Sequence, residues 1–154
     1  MKRQKETIGS ILEIDLKNGN YAYAQILKNG FVFFDFLSKE SLNEFSILEN
    51  CKILFIIVVY KDIVTRGHWL KVGKLPIKKE FEVLPMKFVQ DGIHKDRFEL
   101  YDPNTGETIS TNKDACKGLE RSSIWDAHHV EDRIRDYYNG VPCKWLKDDL
   151  ALFT

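Results

Sequence analysis

The sequence predicts an α+β fold: a mainly antiparallel, strongly curved sheet with one amphipathic helix near the C-terminus. Three observations carry this. Alternating apolar stretches separated by turn residues fill the first 37 positions, a β-branched run follows at Ile53 to Val59, and a helical period emerges only after residue 125. The 154 residues form a single expected domain, 1–154, and a chain of that length buries roughly two-thirds of the surface it exposes when unfolded. Its 44% hydrophobic, 12% aromatic and 30% charged residues place it in the globular range, away from disordered or collagen-like compositions.

From Ile8 to Leu16, every second residue (Ile8, Ser10, Leu12, Ile14, Leu16) falls on one side of a period-two pattern, which predicts a half-buried strand. The turn KNGN, Lys17 to Asn20, leads into YAYAQIL. Asn29-Gly30 then separates that run from FVFFDF, as in a tight hairpin whose central residues need positive φ. This N-terminal meander is also the kind of element that curls into a barrel-like form. SLNEF, Ser41 to Phe45, has capping-box spacing and predicts a helical turn with Ser41 and Glu44 capping each other. CKILFIIVVY predicts a fully buried central strand, and IVTRGHWLKVGKLP, Ile63 to Pro76, an irregular connection. Strands follow at Lys87 to Gln90 and Arg97 to Tyr101. The turn Asp102 to Gly106 lets Glu107 to Ser110 pair back.

The late stretch WDAHHVEDRIRDYYNG carries the strongest local signals. Asp126 is placed to cap a helix from Ala127 to Tyr138, with Trp125 and Val130 spaced as a hydrophobic staple and Gly140 as a left-handed stop before Pro142. At about 100° per residue, Ala127, Val130, Ile134, Tyr137 and Tyr138 form a core-facing stripe. His128 and His129 diverge by about 100° and cannot chelate one ion together, which leaves His128 with Asp132 at i, i+4 as a two-ligand set that needs one or two more ligands from elsewhere. Asp132 with Arg135 or Arg133, and Asp136 with Arg133, read as ordinary surface ion pairs.

Twenty-three basic and twenty-three acidic side chains balance, so no long-range field draws nucleic acid or an anionic membrane. Cys51, Cys116 and Cys143 are scattered and odd in number, which argues for a reducing cytoplasm and against a disulfide framework or zinc ribbon. The longest apolar run has seven residues, Ile53 to Val59, against about twenty for a membrane-spanning helix, and the N-terminus lacks the apolar core of a secretion signal. No G-x-S-x-G, H-E-x-x-H, P-loop or G-x-G-x-x-G occurs, so no metal, cofactor or catalytic residue is assigned. Trp69 fits equally an interface anchor and a core residue closed under a loop. Phe31, Phe33, Phe34 and Phe36 with Tyr21 and Tyr23 fit core packing better than a nucleic-acid stacking platform, because lysine and arginine do not interleave with them.

The stretches GSILEIDLKNGNYAYAQIL, FFDFLSKE, RGHWLKVGKLPI and, above all, CKGLERSSIWDAHHVEDRIRDYYNGVPCKW resemble the immunity protein 26 family of bacterial polymorphic-toxin systems, across about residues 8–146. Ala127 stands where that family's pattern has proline after Trp-Asp, and His128 where it more often has an acid. The resemblance implies a cytoplasmic protein that binds and neutralises a cognate toxin domain, often a nuclease, by stoichiometric occlusion without catalysis. For that reading the expected partner contacts are Trp69, Glu131, Asp132, Asp136 and Arg133, with the turn Glu99 to Glu107 as a further acidic surface. The partner is the toxin, with neither membrane nor direct nucleic acid. Two other readings stand beside it: a metal-assisted hydrolase using His128 and Asp132 with His68 or His94, and a small nucleic-acid or peptide-binding module on the meander.

Overall fold

The computed structural model describes residues 2–154. Strands β1 (Ser10–Asp15), β2 (Tyr21–Leu27) and β3 (Gly30–Ser38) form the predicted meander and β4 (Ile53–Val59) extends it; helix α1 (Asp62–Thr65) and strand β5 (Leu70–Lys74) follow. Next come β6 (Lys87–Gln90), β7 (Phe98–Tyr101), β8 (Thr108–Thr111), β9 (Glu120–Arg121), β10 (Ile124–Trp125), and helices α2 (Ala127–Tyr138) and α3 (Lys147–Leu152). The described strands make two sheets, ordered β10-β4-β3-β2-β1-β5 and β8-β7-β6-β9. Pairing is antiparallel except where β10 lies parallel to β4 and β9 parallel to β6. The α+β class stands, while neither sheet closes on itself into a barrel.

The larger sheet is covered on both faces, which corrects two expectations. Strand β1 is not half-buried: Ser10, Ile11, Leu12, Glu13 and Ile14 are all buried. Leu12, Ile14, Ala24, Ile26, Phe31, Phe33, Phe55 and Ile57 point to one side, where Val64, Trp69, Trp125, Val130 and Ile134 meet them. Ile11, Tyr23, Val32 and Phe34 point to the other, under Leu48, Phe81 and Leu84. The aromatic run is therefore core. Strand β4, expected to be buried throughout, instead alternates, with Phe55, Ile57 and Val59 inside and Ile53 40% exposed.

The β2–β3 hairpin turns through Lys28 and Asn29, neither with positive φ; Gly30, paired with Leu27, takes the unusual conformation instead (φ 152°). A Cβ at Gly30 would meet the Ile57 carbonyl at 3.2 Å. The capping box in SLNEF does not form. Ser41 Oγ donates to the buried Glu13 carboxylate (2.8 Å), which also accepts from Tyr23 Oη (3.0 Å), and Glu44 accepts from Ser46 N–H (2.7 Å) to start a 3₁₀ turn at Ser46–Asn50. Glu13 offers a desolvated acceptor that the local cap cannot match.

The stretch expected to be irregular, Ile63 to Pro76, is instead α1 plus the edge strand β5, which pairs with β1. The side chain of Gln4 holds it in place, donating to Val64 and Trp69 carbonyls (2.9 and 2.8 Å) and accepting from Lys71 N–H (2.9 Å). In the smaller sheet β7 and β8 pair across the Asp102 turn as predicted, while β9, parallel to β6, has no counterpart among the expected strands. Its core of Phe88, Phe98 and Cys116 is closed by Leu152 and Phe153 at the C-terminal end.

Candidate functional site: helix α2 and its surroundings

Helix α2 spans Ala127–Tyr138, the predicted range. Trp125 and Val130 share the core cluster, as the staple spacing requires. Asp126 has extended N-cap backbone, but its carboxylate makes no cap hydrogen bond. At the other end Gly140 (φ 68°) completes a Schellman closure, with Val141 N–H donating to Asp136 O (3.1 Å) and Gly140 N–H to Tyr137 O (3.2 Å).

The buried stripe is Ala127, Val130, Glu131 and Ile134, while Tyr137 is 52% exposed. On a helical wheel the buried arc runs from Val130 to Glu131, about 40° beyond Ala127, and Tyr137 falls just outside its other edge. Polarity hid the first and apolarity flattered the second. Glu131 is buried because its carboxylate is solvated by the protein: Trp69 Nε1–H donates to Oε2 (2.9 Å) and His68 Nε2 lies 3.2 Å from the same oxygen. Trp69 is itself 1% exposed and packs edge-on to Phe33. Of its two sequence readings, this is the core one.

The two histidines point apart, as expected. The His128 ring stands edge-on to His68 at 5.9 Å, and its Nδ1 is 4.0 Å from Glu131 Oε1. His129 stacks on Trp145, with ring centroids 3.7 Å apart. The His128–Asp132 pairing needed by a hydrolase does not form, because Asp132 turns the other way. It accepts from Arg135 (2.7 Å), Trp145 Nε1–H (2.8 Å) and Lys144 (3.3 Å). His94 lies in the β6–β7 turn, its backbone N–H donating to Asp91. Among the described residues no group of three or more histidine, cysteine or acidic side chains is arranged to hold a metal ion. Cys51, Cys116 and Cys143 are free, and burial pushes the thiols of Cys51 and Cys116 up.

Arg133, expected to pair with Asp136 or Asp132, instead leaves the helix surface. Its guanidinium grips Glu120 of β9 through two bonds (2.9 and 2.7 Å) and lies 3.9 Å from the Phe55 ring centroid and 5.0 Å from that of Trp125. Arg135 also donates to Leu16 O (2.8 Å), and Tyr138 and Tyr137 donate to Asp35 (2.7 and 3.1 Å). Burial and then the Asp35 carboxylate push the Tyr138 phenol well up. Such long-range partners have no local sequence signal; helical spacing offered Arg133 only its neighbours.

Burial works against the charge of Asp132, yet donation from Trp145, Arg135 and Lys144 holds its carboxyl at about 2, below the ordinary 3.8. A depressed folded-state pKa adds stability above the unfolded value and loses it as pH falls through the folded one. Asp132→Asn should therefore have a flatter melting temperature between pH 4 and pH 2 than the parent. Parallel melting curves across that window would mean that the three donors do not favour the ionised form.

Among the described residues no helix is long and apolar enough to cross a membrane. Neither the curated proteins nor the solved structures contain a match to the chain. The sequence profile of the family described as immunity protein 26 matches residues 7–99, from the approach to β1 into β7. That stretch includes the meander, the RGHWLKVGKLP segment and buried Trp69, and ends before α2. With more than half of its length matched, the chain belongs to the immunity protein 26 family.

Proposed function

We propose that this protein neutralises a cognate toxin domain in the cytoplasm of its producer by binding it stoichiometrically, without catalysing a reaction. Membership of an immunity-protein family carries the reading. The face best suited to the contact is the outer side of α2 with the segment after it. There Tyr137 and Trp145 are 52% and 44% exposed, Asp132 is held ionised, and Asp136 lies alongside. Aromatic groups with ordered acids beside them suit a basic nuclease cleft, where carboxylates take the place of substrate phosphates. Trp69, Glu131 and Arg133, also expected as contacts, then act from beneath: they anchor the helix rather than touch the toxin. Residues 1–154 act as one unit in this proposal, because β10 returns to the larger sheet after the smaller one is made.

The test is calorimetric titration with the toxin domain encoded beside this gene. A one-to-one complex is expected, weakening as salt rises. Asp136→Ala with Trp145→Ala should weaken it about tenfold or more, the scale of a lost hot spot. Absence of binding by the folded protein would sink the reading, and unchanged affinity in the double variant would remove this face.

A further inference from the structure

Lys87, the first residue of β6, is only 5% exposed. Burial pushes its ammonium below the ordinary lysine range, against the attraction of the Glu120 carboxylate. The Glu120 carboxylate is already engaged by both terminal nitrogens of Arg133. Among the described residues no buried side-chain nitrogen or oxygen lacks a hydrogen-bond partner, so the Lys87 stem is buried while its ammonium reaches the cleft, where no protein acceptor claims it. Other buried charges in this protein are provided for: Glu13 has two hydroxyl donors and Glu131 has an indole N–H.

Lys87 lines a cleft of about 650 Å³ where the two sheets meet. Lys28 from the β2–β3 turn and Lys61 from before α1 line it too, as do Ser122 and Ser123 between β9 and β10; among the described residues Glu6 is the only acid on the wall. Three cations against one carboxylate leave the cleft electropositive in a molecule whose charges otherwise balance. Phe31, Val59 and Ile124 supply apolar wall, and the volume lies in the range of small-ligand sites.

We propose that this inter-sheet cleft is a binding site for an oxyanion, the carboxylate or phosphate of a small ligand, with the Lys87 ammonium at its wall as the counter-charge and the Ser122 and Ser123 hydroxyls as further donors. A charged hydrogen bond in a desolvated position is the strong kind, and lysine meets a phosphate or carboxylate as a point charge. The site is separate from the α2 face and does not depend on toxin binding.

The experiment follows thermal unfolding and NMR shifts of the full chain with sodium phosphate and, separately, sodium acetate, each against sodium chloride at equal ionic strength. At least one of the two oxyanions should raise the melting temperature above the chloride control and shift the amides of Ser122 and Ser123. Phosphate alone would identify a phosphate site, acetate alone a carboxylate site, and a response to both the shared chemistry. Lys87→Met should remain folded, melt higher than the parent without oxyanion, and bind about tenfold or more weakly, the loss expected with a charged hydrogen bond. Lys61→Ala, at an exposed position, gives a second readout with a smaller weakening. No response beyond chloride in the parent, or an equal response in Lys87→Met, would overturn the proposal.

Discussion

Replacing Trp69 by alanine is expected to destabilise the protein by about 3–5 kcal/mol, the range for emptying a large aromatic site. The indole is 1% exposed, meets Phe33 edge-on at 5.7 Å and belongs to the same cluster as Val130 and Ile134 of α2. The alanine variant leaves a cavity and also strips Glu131 of its Nε1–H donor. Trp69→Phe separates these effects: most of the packing stays, the donor goes, and the expected loss is about 1–3 kcal/mol from a buried carboxylate left short of a partner. Trp69→Phe with Glu131→Gln should recover part of that loss, since the uncharged amide is cheaper to leave under-bonded. Urea unfolding with unchanged m-values would measure all three. A loss below about 1 kcal/mol for Trp69→Ala would contradict the buried position.

Arg133→Met is expected to cost about 2–3 kcal/mol. It keeps an unbranched chain over Phe55 while removing both bonds to Glu120 and leaving that half-buried carboxylate unpaired. The pair joins α2, which covers the larger sheet, to β9 at the edge of the smaller one. Lysine should not restore it, because an ammonium cannot make two parallel bonds to one carboxylate and lie flat on a ring. Glu120→Gln combined with Arg133→Met should cost less than the sum of the single losses. Strict additivity in that double-mutant cycle would show that the two side chains do not act together.

Where the chain announces its structure locally, it is readable. The limits of α2 follow from an extended residue, a staple and a glycine that permits the left-handed closure, all within sixteen positions. The β7–β8 hairpin follows from the Asp102 turn in the same way. Where a distant partner outbids a local one, the sequence misleads. Ser41 has the spacing to cap a helix and bonds to Glu13, twenty-eight residues away, instead. Arg133 leaves its helical neighbours for Glu120. The edge strand β5 carries two glycines' worth of turn signal nearby and forms because β1 offers it a free edge.

The candidate site shows the same division. Divergence of His128 and His129 follows from helix geometry alone, whereas the burial of Glu131 required knowing that Trp69 lies across from it. The resemblance read most strongly in the late block, while the profile match covers residues 7–99. Those residues make the meander and the strand bearing Trp69's neighbours, whose buried pattern is set by packing on both faces. Lys87 gave no sequence signal, since a lysine at the start of a strand ordinarily faces water.

The order of the chain gives the cover of the larger sheet a biosynthetic consequence. Strands β1 to β5 are complete by Lys74, yet the helix that packs on their apolar face begins at Ala127, and β10, the last strand of that sheet, at Ile124. At translation rates of about 5–20 residues per second, the roughly fifty intervening residues take several seconds to appear. For that time Phe55 and Ile57 lack the cover of Trp125, Val130 and Ile134, and the half-made sheet keeps β4 open as an edge. The strands made first therefore hold an incomplete core until the last part of the chain is made.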